Sequence, residues 1–188
     1  MVDLRKLCQL RKGITKNRLE QPDGSTHGLY QIAQLEKFEL GEASEQANLD
    51  ASKARAHLLE SGQVLVSLIG ARTQAAVVTE LKLPTVANSN LAILTPDIAQ
   101  LDPYFLVSII RTEEFQQQAQ ARITDSVLPH LSLDSLAQLK IPIPPISLQK
   151  EIASGFLALE AYQDLTQTFL RRQKEAFEAE VMKTLEIW

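Results

Sequence analysis

Short apolar runs separated by turn residues indicate the strands of this chain. Residues 63–69 (QVLVSLI) and 75–78 (AAVV) are almost entirely β-branched or aliphatic, and Gly70-Ala71-Arg72-Thr73 lies between them. This pattern predicts a β-hairpin with its tip near Arg72. A further strand is predicted at residues 91–94 (LAIL), shortly before a proline.

Shorter helices are predicted around these strands. An Asp-Pro pair precedes residues 104–118, which fit an amphipathic helix. Ser132 or Asp134 can cap a helix over residues 133–138. Residues 46–60 fit one further short helix within a polar, turn-rich N-terminal region.

The C-terminal segment predicts a single long helix. Residues 147–186 contain no proline and one glycine, Gly155. At about 100° per residue, their apolar side chains fall on two adjacent stripes. The main stripe consists of Leu148, Ile152, Phe156, Leu159, Leu170, Phe177, Val181 and Leu185, and the second of Ala158, Tyr162, Leu165, Phe169 and Ala176.

Two adjacent stripes exceed what packing against one surface requires. We therefore expect the helix to contact its own globular part along one stripe and a second helix along the other. A helix that is buried only in its own chain is the alternative.

The composition is that of one globular domain with an extension. The chain has 188 residues, 45% of them hydrophobic and 22% charged, and a formal net charge of −4. The acidic total hides a basic N-terminus, because residues 1–35 carry six basic and three acidic side chains. This basic face can contact phosphate, although a solvated charged loop explains it equally well.

Several classes of protein are excluded by the sequence. No run of about 18 apolar residues is present, which argues against a membrane span. Charges at Asp3, Arg5 and Lys6 leave no apolar stretch for a signal peptide, so we expect a cytoplasmic protein. Cys8 is the only cysteine, which excludes an internal disulfide and multi-cysteine zinc sites.

Catalytic and metal-binding motifs are missing from the sequence as well. The glycines form neither a phosphate-binding G-x-x-x-x-G-K loop nor a dinucleotide-binding G-x-G-x-x-G loop. His27, His57 and His130 are far apart and form no H-x-x-x-H pair, so no metal site is predicted. An enzyme acting on its own is disfavoured, and we expect no cofactor.

The order of segments along the chain forms a recognisable series. It runs through residues 7–13, a strand from Gln31-Ile32 to Leu35, the strand between Gly62 and Gly70, an asparagine-containing strand at 86–94, the helix start at 103–106, and Leu131-Ser132 with Leu136 and Leu139. Its most specific part is Ile141-Pro142-Ile143-Pro144-Pro145, followed by Gln149 and Ile152. From Leu4 to the C-terminus, this series resembles one half of the specificity (S) subunit of type I restriction-modification systems.

The resemblance implies an α+β fold. A mixed, β-rich target recognition domain (residues 1–145) would be followed by one long C-terminal helix (residues 146–188), which forms an antiparallel coiled coil with a second copy. In the family, an S subunit has two recognition domains, and each reads one half of a bipartite DNA site while partner subunits supply methylation and cleavage. The implied function is sequence-specific recognition of double-stranded DNA by a non-catalytic homodimer on an inverted repeat. Its partners would be a modification (methyltransferase) subunit and a restriction subunit, which would hold S-adenosylmethionine, Mg²⁺ and ATP.

A role in DNA recognition assigns expected contacts to three groups of residues. Candidate phosphate contacts, which position without reading sequence, are Lys12, Lys16 and Arg18. Candidate base contacts at the hairpin tip are Arg72, Thr73 and Gln74, because arginine can bond guanine bidentately and glutamine can bond adenine. Arg111 and Arg122 are further candidates. An exposed loop without a ligand is the alternative for both the basic stretch and the tip.

Candidate residues for pairing of the long helix are Ile152, Phe156, Leu159, Tyr162, Phe169 and Phe177. Two other classes of function stay open. One is a degenerate S-like interaction module that binds the modification subunit without reading DNA, and the other is an autonomous enzyme, for which no motif is found.

Overall fold

The computed structural model describes residues 1–123 and 129–185. Contacts divide the chain into two compact units, Met1–Ala153 and the helical segment that begins at Ser154. The strands are β1 (Val2–Asp3), β2 (Cys8–Lys12), β3 (Glu20–Tyr30), β4 (Glu39–Leu40), β5 (Glu45–Leu49), β6 (Val64–Ser67), β7 (Ala75–Val78), β8 (Thr85–Ala87), β9 (Leu91–Pro96) and β10 (Lys140–Ile141). The helices are α1 (Ala51–Ala54), α2 (Pro103–Ile110), α3 (Glu113–Gln120), α4 (Leu133–Ala137) and α5 (Ile146–Leu185). Short 3-10 turns lie at Leu4–Lys6, Lys16–Arg18, Ile32–Glu36 and Arg55–His57.

The larger sheet contains the predicted hairpin. Its strands follow the order β2-β9-β6-β7-β4, and neighbours are antiparallel except for the parallel pair β7 and β4. Every residue of β6 and β7 is buried, which explains why these strands are apolar at consecutive rather than alternate positions. The predicted hairpin and the predicted strand at 91–94 are confirmed.

Among the described residues of the first unit, buried apolar side chains form a cluster on each of two sheets. The cluster on the larger sheet comprises Tyr30, Leu35, Leu40, Ala43, Leu59, Leu65, Ala76, Val78, Ala87, Leu91 and Ile93. A smaller sheet has the order β5-β3-β8, with β3 antiparallel to β5 and parallel to β8. The cluster on this smaller sheet comprises Ile14, Leu29, Ala47, Leu49, Ala54 and Val86. Strands β1 and β10 form a separate antiparallel pair.

Gly13 lets the chain cross from the larger sheet to the smaller one. Its N–H donates to the Leu91 carbonyl (2.9 Å), and the next N–H, of Ile14, donates to the Ala87 carbonyl (2.8 Å). A Cβ on Gly13 would stand 2.0 Å from the backbone oxygen of Asn88, so no larger residue fits without moving the backbone. Close packing of two backbone segments therefore requires this glycine.

Residues 46–60 do not form the predicted helix. Glu45–Leu49 is β5, paired with β3, and helical structure is confined to Ala51–Ala54 and the turn Arg55–His57. Within β5, Ala47 and Leu49 are buried, whereas the residues between and before them are exposed. This period of two is that of a half-buried strand, and pairing with β3 outweighs the weak helical pattern.

Two strands that the family resemblance implied differ in the structure. The segment from Gln31-Ile32 to Leu35 forms a 3-10 turn, in which the Gln31 N–H donates to the side chain of Gln34 (2.8 Å). The implied strand at 86–94 is interrupted between β8 and β9, because Asn88 Oδ1 accepts a hydrogen bond from the Asn90 N–H (2.9 Å). Asparagine favours such turns by bonding the backbone two residues on.

The predicted helix over 104–118 is also interrupted. Helix α2 ends at Ile110, and Thr112 caps α3, its hydroxyl oxygen accepting from the Phe115 N–H (3.4 Å). A threonine at this position offers an N-cap, which begins a new helix instead of extending the old one.

The closing segment agrees with the sequence. Ser132 caps α4 by accepting from the Ser135 N–H (3.0 Å), and α5 spans Ile146–Leu185, so the predicted long helix is confirmed. The buried Gln149 side chain accepts from the Asp102 N–H and donates to two carbonyls, those of Gln100 and Pro144. The first unit therefore extends to Ala153, two turns into α5.

Candidate nucleic-acid interface

Hydrogen bonds within the hairpin and to the Pro129 backbone hold the tip of the β6–β7 hairpin. The Ser67 N–H donates to the Gln74 carbonyl (2.9 Å), and the Ser67 hydroxyl oxygen accepts from the Gln74 N–H (2.8 Å). Gly70 has a φ of 121°, which favours glycine, and its N–H donates to the Pro129 carbonyl (3.2 Å). Residues 68–74 therefore form a defined loop.

Helix α3 contacts the tip from outside the hairpin. Gln116 Oε1 accepts from the Thr73 N–H (2.9 Å), while Nε2 donates to the carbonyls of Thr73 (2.8 Å) and Ile110 (2.7 Å). Thr73 is 5% exposed, so the structure does not offer its side chain for the predicted base contact. Thr73 instead anchors the tip to α3.

Arg72 is exposed at the tip and pairs with Glu113 at the start of α3. Its Nη2 lies 3.1 Å from Glu113 Oε2, and the two side chains are 60% and 67% exposed. Ion pairs this exposed contribute roughly 0.2–1 kcal/mol, so a bond to a nucleic acid can replace this one. Glu113 thus restrains the Arg72 side chain but leaves it able to bind a ligand.

Gln74 has incomplete hydrogen bonding. Its side chain is half-buried, and Oε1 is buried without a hydrogen-bond donor in residues 1–123 and 129–185. A buried carbonyl oxygen left unsatisfied is unfavourable by about 1–3 kcal/mol. A donor from a ligand can satisfy this oxygen only if the Gln74 side chain moves, because the oxygen is buried.

A polar cleft of about 320 Å³ lies beside the tip. It is lined by Leu35, Glu36, Arg72, Thr73, Gln74, Arg111 and Gln116. With Glu113 close by, the cleft has charges of both signs, so it differs from a uniformly basic surface for phosphate.

Arg111 is used inside the fold rather than for the predicted DNA contact. Its guanidinium lies 5.0 Å from the ring centre of Phe38. It donates to backbone carbonyls at 2.7–3.3 Å, those of Leu35, Glu36, Lys37 and Ala75. These bonds join α2 to the turn after β3 and to β7, so this arginine is a structural residue. Arg122 is exposed and donates to the Gln118 carbonyl (3.1 Å).

The Phe38 ring also stacks with the ring of Tyr104. The two rings stack with centroids 6.3 Å apart, and the Tyr104 hydroxyl donates to Glu39 Oε1 (2.7 Å). Burial, together with the bond to Glu39, raises the pKa of Tyr104 to about 12. The tyrosine therefore stays protonated and neutral at physiological pH.

The register of the larger sheet brings Lys12 to the same end as the hairpin tip. Ala92 of β9 pairs with Lys12 of β2 on one side and with Val66 of β6 on the other. Since β2 and β6 are both antiparallel to β9, they run in the same direction, and Lys12 ends β2 as Ser67 ends β6. Neighbouring strands are about 4.8 Å apart, which places the Lys12 backbone roughly 10 Å from that of Val66. Lys12 is exposed.

Lys16 and Arg18 lie beside the smaller sheet. Lys16 pairs with Glu20 (3.3 Å), and the Leu19 carbonyl accepts from the Asp50 N–H (2.9 Å), which anchors this turn to the end of β5. Of the three predicted phosphate contacts, Lys12 is therefore the one that the register places at the same end of the larger sheet as the hairpin tip.

The long helix exposes most of the residues predicted to pair with a second copy. Leu159, Tyr162, Phe169 and Phe177 are 51%, 68%, 59% and 69% exposed. Ile152 and Phe156 are half-buried. Of these six candidate residues, the four exposed ones therefore lie after Phe156.

Gln116 and Glu113 are site residues that the sequence did not reveal. Both contact a loop about 40 residues away in sequence, and no local pattern encodes such a contact. One signal was available for Gln116, which directly follows the buried Phe115 and lies three residues before the buried Ala119. Those positions place Gln116 on the buried face of α3.

In the part of the chain that the structure describes, three further features bear on function: metal-binding groups, membrane-spanning helices and the reactivity of the cysteine. Within it, no group of three or more His, Cys, Asp or Glu side chains could hold a metal ion, and no helix is long and apolar enough to cross a bilayer. Burial raises the pKa of the Cys8 thiol to about 12, so the reactive thiolate does not form at neutral pH.

A family model and solved structures resemble this chain. The model described as "Type I restriction modification DNA specificity domain" matches residues 2–173. No curated protein sequence matches significantly.

Similar structures include the S subunit of a type I restriction-modification system from M. genitalium (14% identity, TM-score 0.54, covering 85% of this chain and 38% of that one). The HsdS subunit from Thermoanaerobacter tengcongensis gives 17% identity and a TM-score of 0.56, with coverage of 86% and 37%. A chain from a study of complex assembly and conformational transition of the type I R-M system gives 19% identity and a TM-score of 0.61. The match covers 93% of this chain and 43% of that one. At these identities the similarity concerns the fold, and this chain spans about two fifths of the length of those chains.

Proposed function

Because the chain belongs to the type I restriction modification DNA specificity domain family, we propose that it reads one half of a bipartite DNA site as the non-catalytic part of a methyltransferase complex. One observation carries this proposal. At one end of the larger sheet, the braced hairpin tip exposes Arg72 beside the half-buried Gln74, and the exposed Lys12 ends a strand nearby. Arginine and glutamine can read base edges, while lysine suits phosphate.

A second copy supplies the other half of the site in this proposal. Support comes from the helix after Phe156, where Tyr162, Leu165 and Phe177 are 68%, 70% and 69% exposed. Large apolar side chains on one face of a helix favour pairing with another helix. Two antiparallel copies related by a twofold axis would read an inverted repeat.

The chain needs partners for chemistry. We infer that it binds a modification (methyltransferase) subunit, with a restriction subunit as a further partner, and that these hold S-adenosylmethionine, Mg²⁺ and ATP. A complex that acts on chromosomal and incoming DNA works in the cytoplasm, which is where we place this chain.

Methylation-site mapping tests the proposal. The chain is expressed together with its modification subunit, and methylated positions are mapped across a genome. We expect one inverted repeat, with two identical half-sites and a constant spacer. A target with a single half-site would contradict the homodimer, and methylation without sequence preference would contradict DNA reading.

The main alternative is an interaction module that binds the modification subunit without reading DNA. The observations that favour it are the net charge of −4 and the acidic Glu36 and Glu113 near the tip. This alternative predicts a stable complex with the modification subunit whose DNA affinity is the same for all duplexes.

A further inference from the structure

Gln116 is a buried polar side chain that takes no part in the contacts proposed above. It is 8% exposed, and its amide makes hydrogen bonds to the N–H and the carbonyl of Thr73 and to the carbonyl of Ile110. The amide thus satisfies both backbone polar groups of one residue in the middle of the hairpin tip.

These bonds fix the backbone on either side of Thr73. Arg72 precedes Thr73, and Gln74 follows it, with its own N–H bonded to the Ser67 hydroxyl (2.8 Å). The tip is therefore anchored at two adjacent residues, once to its own strand and once to α3. Because α3 begins with Glu113, which pairs with Arg72, one helix restrains both the backbone and the exposed side chain of the tip.

We propose that Gln116 is a positioning residue for base recognition, which acts through Thr73 to fix where Arg72 and Gln74 meet the DNA. The inference rests on the proposed function, since it matters only if the tip reads bases. A bidentate bond to a base edge tolerates only small errors in position, about 0.5 Å or 10–20°. Phosphate contacts are less demanding, because they depend mainly on charge.

The test compares sequence preference with overall affinity. The full chain, assembled with its modification subunit, selects duplexes from a randomised library, and enrichment is read by sequencing. The variants are Gln116→Met, which keeps the shape of the side chain and removes its hydrogen bonds, and Gln117→Met, a control at an exposed position of the same helix. Preference is a ratio between duplexes, so a smaller folded fraction scales all sequences alike and leaves it unchanged.

We expect Gln116→Met to lower the preference for the best base at the positions read by the tip by about tenfold, a typical loss for one bidentate contact. Its affinity for unrelated duplexes should stay within about twofold of the original, since phosphate contacts remain. Gln117→Met should match the original chain in both measurements.

Arg72→Ala separates this inference from the proposed function. If Arg72→Ala relaxes the preference and Gln116→Met does not, the positioning role is wrong while the reading tip stands. If neither Arg72→Ala nor Gln74→Ala changes the preference, the tip does not read DNA, and the inference fails together with the proposed reading surface. A Gln116→Met chain that binds no duplex, beside a normal Gln117→Met chain, would show that Gln116 maintains the fold, which also overturns the inference.

Discussion

Most large apolar side chains are buried in the first compact unit of this chain, whereas most of those in the helical unit are exposed. In the first unit, Tyr30, Phe105 and Phe115 are each 1% exposed. In the helix that follows, Leu165 and Phe177 are 70% and 69% exposed. The first unit buries a core of its own, whereas the helix keeps apolar surface available for a second surface.

Local interactions do not explain the stability of such a helix. Two of the ion pairs along it, Arg171–Glu175 and Lys174–Glu178, are exposed, and each joins residues one helical turn apart. Pairs of this kind contribute about 0.3–0.5 kcal/mol each, and most helical stability in proteins comes from packing of an apolar face. Under the proposed function, recognition would reside in the unit with a buried core, and assembly in the helix with exposed apolar side chains.

The largest effect is expected from charges on the exposed helical face. The double variant Leu165→Lys with Phe169→Lys should raise the Kd of the proposed homodimer at least about 10³-fold, since each side chain contributes about 1.5–3 kcal/mol when buried and such a dimer would bury it twice. Thermal unfolding of the first unit should not change. Sedimentation equilibrium measures the Kd.

The matched control adds the same charge on another face of the helix. Ala161→Lys with Ala179→Lys replaces exposed residues outside both apolar stripes and should leave the dimer intact. Equal dissociation by the two double variants would mean that net charge, and not the apolar face, governs assembly.

Two glycines sharpen the comparison between the units. Gly13→Ala should destabilise the first unit by roughly 3 kcal/mol, because its Cβ would meet the Asn88 carbonyl at 2.0 Å. Gly155→Ala has no atom within 4 Å of its Cβ and should stabilise the helix by about 0.5–1 kcal/mol. Urea unfolding followed by circular dichroism measures both, and a destabilising Gly155→Ala would show that the helix packs there.

Two arginines of the first unit also differ in their expected effect on stability. Arg111→Met should lower the free energy of unfolding by about 3 kcal/mol, because it leaves several backbone carbonyls without their charged donor. Arg72→Met should change it by less than about 1 kcal/mol, as its ion pair with Glu113 is exposed. Comparable losses for the two variants in urea unfolding would contradict the assignment of Arg72 to the recognition surface.

A loss smaller than those of Gly13→Ala and Arg111→Met is expected at a helix cap. Ser132→Ala removes the oxygen that accepts from the Ser135 N–H and should destabilise the first unit by about 1 kcal/mol. Ser61→Ala, at an exposed position, serves as the control and should be neutral in the same thermal melts. A neutral Ser132→Ala would mean that α4 does not depend on its cap.

The sequence predicted the elements whose signals are local. The buried hairpin and the long helix follow from continuous apolar runs and from the absence of proline, and the structure contains both. Residues 45–49 were ambiguous, because EQANL fits a helix as well as a strand until β3 pairs with it. The interruption at Thr112 also depended on a single N-cap, whose use a sequence pattern does not fix.

The candidate site was predictable only in part. Hairpin periodicity located Arg72 at a tip, and the structure finds it exposed there. The burial of Thr73 was not predictable, because it depends on Gln116, 43 residues away. The opposite roles of Arg72 and Arg111 were hidden for the same reason, since both are arginines and only their neighbours in space distinguish them.

Helix length gives the most direct test of the account. Duplicating residues 174–180 keeps the apolar stripes roughly in phase and adds about 10 Å of helix. In an antiparallel homodimer that holds two recognition units apart, this increment corresponds to about three base pairs at ~3.4 Å each. Methylation-site mapping of the original and the lengthened chain, each with the same modification subunit, should therefore return identical half-sites separated by a longer spacer. An active lengthened chain that keeps the original spacer would contradict the account, because the helices would then not set the distance between the two recognition units.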